Sequence, residues 1–156
     1  MKPAWREYTM AQWDKLCGVS PDLHPKAADG FVFNAHGVCI NPHVLGLAAR
    51  GWRIGIFTAQ TPSGLWSHCR DISFPTAGVS GLPRRQAFNA ESTEDKARIA
   101  ELEFAAAFVA LRSDRDKVSH PISRRDADIL LRLIAEKIAE LEPKKVPIFT
   151  QLSLFD

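Results

Sequence analysis

Trp52-Arg53-Ile54-Gly55-Ile56-Phe57-Thr58 and, after the breaker-rich Thr61-Pro62-Ser63-Gly64, Leu65-Trp66-Ser67-His68-Cys69-Arg70-Asp71-Ile72 decide the fold class of this chain. In the first stretch Trp52, Ile54 and Ile56 alternate onto one side, the period-two mark of a half-buried strand. Joined by a turn-forming tetrapeptide, the two stretches read as an antiparallel hairpin. Strand geometry then puts Trp66, His68 and Arg70 on a common side.

Helical signals flank the hairpin. Thr9-Met10-Ala11-Gln12 has the form of a capping box and predicts a helix over 10–17, stopped at Gly18. Residues 30–34, with Phe31-Val32-Phe33 between breakers, read as a short strand. Asn41-Pro42 followed by Gly51 predicts a helix over 42–50, with proline at its first position and glycine at its stop.

Residues 74–86 hold Pro75, Gly78, Gly81, Pro83 and the pair Arg84-Arg85, and read as a long loop. Ser92 then caps a helix over 93–111, with Glu94 and Asp95 suited to the positive end of its dipole. Its apolar stripe is read as Ala97, Ala100, Phe104, Ala107, Phe108 and Leu111. Pro121 and Ser123 open a last helix over 124–142, whose stripe is Ala127, Leu130, Leu131, Ile134, Ile138 and Leu141.

The expected fold is α+β: a small antiparallel sheet, the hairpin of about 52–72, packed against helices, with two long C-terminal helices and an extended C-terminal tail. Residues 1–142 are expected to form one globular domain and 143–156 a linker and tail. At 156 residues with 46% hydrophobic content, such a domain supports its own core.

A formal charge of +2, from 20 basic and 18 acidic residues, supplies no global field for nucleic acid. Any such contact must come from a local patch. The candidates are Arg53, Trp66, Arg70, Arg84 and Arg85, on or beside the hairpin, where guanidiniums meet phosphates and aromatic faces meet bases.

Cys17, Cys39 and Cys69 have no framework spacing and read as reduced thiols. With no secretory leader and no apolar run long enough to span a bilayer, a cytoplasmic location is expected. Cys39 with His43, or His68 with Cys69, suggests a zinc pair, but neighbours on a strand point to opposite faces. No phosphate loop, nucleotide fingerprint or nucleophile signature stands out, so no catalytic residue, metal ligand or cofactor is assigned.

The stretch Gln151-Leu152-Ser153-Leu154-Phe155 follows the helix-breaking, basic Glu142-Pro143-Lys144-Lys145-Val146-Pro147. It resembles the bacterial sliding-clamp binding motif, by which replication and repair factors dock on the ring-shaped β subunit of DNA polymerase III. The resemblance implies that Leu152, Leu154 and Phe155 enter an apolar pocket while Gln151 hydrogen-bonds at its mouth and Ser153 faces outward. Three buried apolar side chains yield roughly 1.5–3 kcal/mol each before the cost of ordering the peptide.

The partner implied is the β sliding clamp, with DNA beside it and no membrane, and the setting is the nucleoid. The function implied is that of a non-enzymatic accessory protein of replication, repair or a mobile element. Residues 52–97 also loosely resemble small phage and plasmid proteins that have a Trp-bearing hairpin, a Gly/Pro loop and a Phe-led helix. Two alternatives stand beside this reading: a small nucleic-acid-binding protein using the Arg/Trp hairpin and loop, and a motif-poor enzyme recruited to DNA.

Overall fold

The alternation that begins at Trp52 is realised as a strand with two unlike faces. The computed structural model describes residues 4–20, 24–25, 30–75, 77–114 and 121–144. They form β1 (Trp5–Tyr8), α1 (Met10–Cys17), β2 (His43–Ala49), β3 (Trp52–Gln60), β4 (Trp66–Phe74), β5 (Ala77–Ser80), α2 (Glu94–Arg112) and α3 (Arg124–Leu141). The five strands make one antiparallel sheet in the order β1-β2-β3-β4-β5. The fold is α+β, and the expected hairpin is its centre.

One face of the sheet is covered by the two long helices. Leu45, Leu47, Ile54, Ile56 and Ile72 meet Leu102, Ala105 and Val109 of α2 and Ala127, Leu130 and Ile134 of α3. Each large aliphatic side chain removed from water there contributes on the order of 1.5–3 kcal/mol. At the far end Trp52 stacks on Phe74 with ring centroids 4.6 Å apart, and Phe108 closes edge-on at 6.2 Å from Trp52. Of the expected α3 stripe, Ala127, Leu130 and Ile134 are buried, and Leu131, Ile138 and Leu141 pack against the same core partly buried.

The opposite face takes α1. Thr9 accepts from the Gln12 amide and the Gln12 side chain accepts from Thr9 N–H, so the capping box forms and starts the helix there. Trp13 packs with Met10, Val44 and Phe57 and sits over Gly46 and Gly55, which are register partners on β2 and β3. A Cβ on Gly46 would lie 2.4 Å from the Trp13 ring and one on Gly55 2.6 Å from it. These two glycines make the notch that admits the indole, whose Nε1–H donates to Asp71 at 2.8 Å.

That notch corrects the helix expected over 42–50. Val44 and Gly46 face Trp13, whereas Leu45 and Leu47 face the helices, so the segment is the strand β2. Gly51 stops no helix. Arg50 (φ 55°) and Gly51 (φ 79°) form a two-residue connection between β2 and β3, and two successive positive φ values are what a type I′ hairpin turn requires.

The other differences are smaller. The strand expected over 30–34 is reduced to an isolated bridge, Phe33 with Cys39. The loop of 74–86 contains β5, paired with β4 from Asp71↔Ser80 to Phe74↔Ala77. Thr93 rather than Ser92 caps α2. The α2 stripe is turned: Ala97, Arg98, Glu101, Leu102, Ala105 and Val109 are buried, whereas Phe104 and Leu111 are exposed. The cause is polar ground beneath the helix, since β4 presents His68 and Arg70 where the expected stripe needs apolar neighbours.

The linker and tail expected over 143–156 lie outside the described residues, apart from Pro143 and Lys144. Among the described residues no helix is long and apolar enough to cross a membrane.

Candidate functional site

Polar chemistry gathers where the N-terminal half of α2 crosses β2, β3 and β4. The strands supply His43, Thr58, His68 and Arg70 on the same face, and α2 supplies Glu94, Arg98 and Glu101. The spacing of four and then three along α2 places its three residues on one side of the helix. Two ionic knots result.

In the first knot Glu101, only 1% exposed, accepts from His68 Nδ1 at 2.6 Å and from Arg70 through both Nη2, at 3.1 Å, and Nε. His68 Nε2 reaches the Asn89 carbonyl at 2.7 Å. Both groups facing the imidazole are acceptors, so both ring nitrogens donate and His68 is held as the cation. The Glu101 hydrogen bond raises the His68 pKa above its ordinary 6.5, against the opposite push of burial. Burial drives the Glu101 carboxyl up, but His68 and Arg70 together bring it below its ordinary 4.5. With its protons committed on both sides, His68 is an anchor rather than a proton carrier. The Arg70 guanidinium also lies over Phe104, 3.7 Å from the ring centroid.

In the second knot Glu94 Oε1 receives His43 Nδ1 at 2.7 Å, Thr58 Oγ1 at 2.7 Å and Arg98 Nη2 at 3.2 Å, while Arg98 Nη1 reaches Glu7 at 3.2 Å. Burial pushes the Glu94 carboxyl up, yet these donors leave it net lowered. The carboxylate can only accept, so His43 donates from Nδ1 and turns Nε2 away from Glu94, where no partner meets it among the described residues. Phe31 and Trp66 flank this imidazole, with centroids 4.7 and 6.0 Å from it. A cavity of about 380 Å³, bounded by Tyr8, Met10, His24, Phe31, Asn41 and His43, opens beside it.

The five residues proposed for nucleic acid lie on separate surfaces. Trp66 and Arg70 share the α2 side, as expected, but Arg70 is already committed to Glu101. Arg53 is on the opposite face, with Nη2 3.3 Å from Ser73 Oγ. Arg84 and Arg85 are exposed on the loop after β5. Gln151, Leu152, Ser153, Leu154 and Phe155 lie outside the described residues.

The zinc pairings are not assembled. Cys39 is buried, and its thiol donates to Asn41 Oδ1 at 3.6 Å. His68 faces α2, whereas Cys69 lies on the other face against Gly81, with its thiol pKa pushed up by burial. Among the described residues no group of three or more His, Cys, Asp or Glu is placed to hold a metal ion.

Glu94, Arg98 and Glu101 are what the sequence reading missed as a unit. Their signal was the same four-and-three spacing as the apolar residues beside them, hidden by the expectation that a buried face is apolar. No family profile, no curated protein and no solved structure matches this chain.

Proposed function

We propose that this protein is a non-enzymatic accessory factor of DNA replication, repair or a mobile element that docks on the bacterial β sliding clamp through Gln151-Leu152-Ser153-Leu154-Phe155. The observation that carries the reading is the pentapeptide itself, two alternating leucines and a phenylalanine behind a glutamine. The end of α3 supports it: the C-cap Glu142 takes an extended conformation, φ −62° and ψ 137°, ahead of Pro143. The chain thus turns out of helix at Glu142. The folded domain is then the cargo, and the clamp supplies its place on replicating DNA.

Docking of a short linear peptide belongs in the micromolar class, about −8 kcal/mol. Titration of purified clamp with the full chain tests the reading. Truncation after Thr150, or Leu154→Ala with Phe155→Ala, abolishes binding and leaves the thermal melt in place. Binding that survives truncation refutes the motif. A large fall in melting temperature assigns the same residues to the protein's own core instead.

A further inference from the structure

The loop between β5 and α2 is tied down at several points of its backbone, yet exposes the side chains of Arg84, Arg85, Gln86, Phe88 and Asn89. The Pro83 carbonyl accepts from Cys39 N at 2.8 Å, and Arg85 N donates to the Gly37 carbonyl at 2.7 Å. Arg84 N donates to Ser67 Oγ at 3.1 Å, and the Asn89 carbonyl receives His68 Nε2 at 2.7 Å. Glu91 exchanges two backbone bonds with Trp66, at 2.7 and 2.9 Å. The buried Glu101 knot therefore reaches this loop through His68.

Within that frame Phe88 stands wholly in water, at 106% relative exposure. Arg84 and Arg85 are exposed, and their guanidiniums have no partner among the described residues. Beside them is a recess of about 400 Å³, with Arg85, Gln86 and Ala90 on one wall and Thr61, Pro62 and Leu65 on the other. An exposed aromatic ring held between backbone anchors at Arg85 and Asn89 has less freedom to lose when a partner arrives, which lowers the ordering cost of binding.

Charge decides the partner. Between residues 30 and 91 the chain carries five arginines and two acids, Asp71 and Glu91. Arg50 is paired with Asp126 and Arg70 with Glu101, and Asp71 is engaged by Trp13. The loop guanidiniums are left without an ion pair among the described residues, four and three positions before the exposed ring. An apolar protein surface closing on Phe88 would bury them unpaired, at a cost of several kcal/mol. A duplex keeps its bases stacked on one another and offers a projecting ring no face. Single-stranded nucleic acid has both complements, phosphates at short intervals and free base faces.

We propose that Arg84, Arg85 and Phe88, with the adjoining recess, form a contact site for single-stranded nucleic acid. The arginines hold neighbouring phosphates, and Phe88, which lies in the chain between Ala87 and Ala90 of the recess wall, stacks on a base. This site does not depend on the clamp reading and belongs to the folded domain.

Fluorescence anisotropy of the full chain with labelled oligo-deoxythymidine, over a salt series and without clamp, tests it. Affinity falls with salt, and Arg84→Ala with Arg85→Ala flattens the log–log slope by roughly 0.7 for each phosphate no longer neutralised. Phe88→Ala weakens binding about tenfold at an unchanged slope, and Phe88→Trp restores it. The thermal melt stays put in all of these variants, because the side chains are exposed. Absence of binding at low salt, equal competition by a duplex, or a Phe88→Ala loss that Phe88→Trp fails to rescue each overturns the proposal. So does clamp binding that requires Phe88, which would make the loop a protein-docking surface.

Discussion

Glu101→Gln keeps the shape of a side chain that is 1% exposed and removes the charge on which two cations converge. With its carbonyl oxygen in the place of Oε1, glutamine still accepts from His68 Nδ1 and Arg70 Nη2, but as a neutral group, and its amide hydrogens then face Arg70 Nε. Breaking a buried ion pair by neutralising one partner costs about 3–5 kcal/mol. Arg70 is 29% exposed and can turn toward water, and His68 can release its proton, so the lower end applies, about 3 kcal/mol. For a domain of this size each kcal/mol moves the melting temperature by about 2–4 °C, which predicts a fall of about 6–12 °C.

The pH dependence carries a sign. His68 has a raised folded pKa, so its contribution is full below its ordinary 6.5 and is lost as pH rises through the raised value. Glu101 has a lowered folded pKa, so its contribution is full above its ordinary 4.5 and is lost as pH falls through the lowered value. The deficit of Glu101→Gln is therefore widest between those two ordinary values and narrows on either side. Urea unfolding followed by far-UV circular dichroism across this range measures it, and a double-mutant cycle with Arg70→Met isolates the pair. A deficit under about 1 kcal/mol at its widest point, or one that is flat with pH, refutes the knot as the tie between β4 and α2.

Two further changes probe the sheet. Gly46→Ala pushes a methyl group to 2.4 Å from the Trp13 ring, which Gly55 backs from the other strand, so neither side yields easily. The expected loss is about 1–3 kcal/mol with a shift in tryptophan emission, and a variant within about 0.5 kcal/mol of the parent by urea midpoint contradicts the notch. Gly51→Ala forces a left-handed residue at φ 79° and brings its methyl to 3.3 Å from Pro75, for a loss of about 1–2 kcal/mol in the same assay. A neutral result there removes the type I′ turn as the device that pairs β2 with β3.

Local chemistry was legible wherever it acts within a few residues. The capping box at Thr9, the stop at Gly18, the Ser123 cap and the Trp52–Ile56 alternation all appear where their spacing puts them. Residues 43–49 were not legible, because Leu, Ala and a trailing glycine suit a helix end as well as a hairpin. Only Trp13, far earlier in the chain than Gly46, says that this glycine is a seat. The α2 face was misread for the same reason. Whether Arg98 and Glu101 point inward is decided by His43, Thr58, His68 and Arg70, far away in the chain, and helical periodicity carries no record of them. The exposed side chains of the loop after β5 were half legible: the arginine pair stood out, while nothing in the pattern around Phe88 marked it as exposed.

The strands shorten toward both edges of the sheet, from nine residues in β3 and β4 to four in β1 and four in β5. Backbone amides at a free edge are the template on which a second chain adds strands, and the length of that template sets how well it holds. β1 places Arg6 and Glu7 in its four positions, and β5 contains Gly78. A stray peptide meets two short, poorly adhesive rims, while the long ladders that would propagate a fibril lie inside. Among the described residues the outline of the sheet thus leaves templated aggregation little backbone edge to work on.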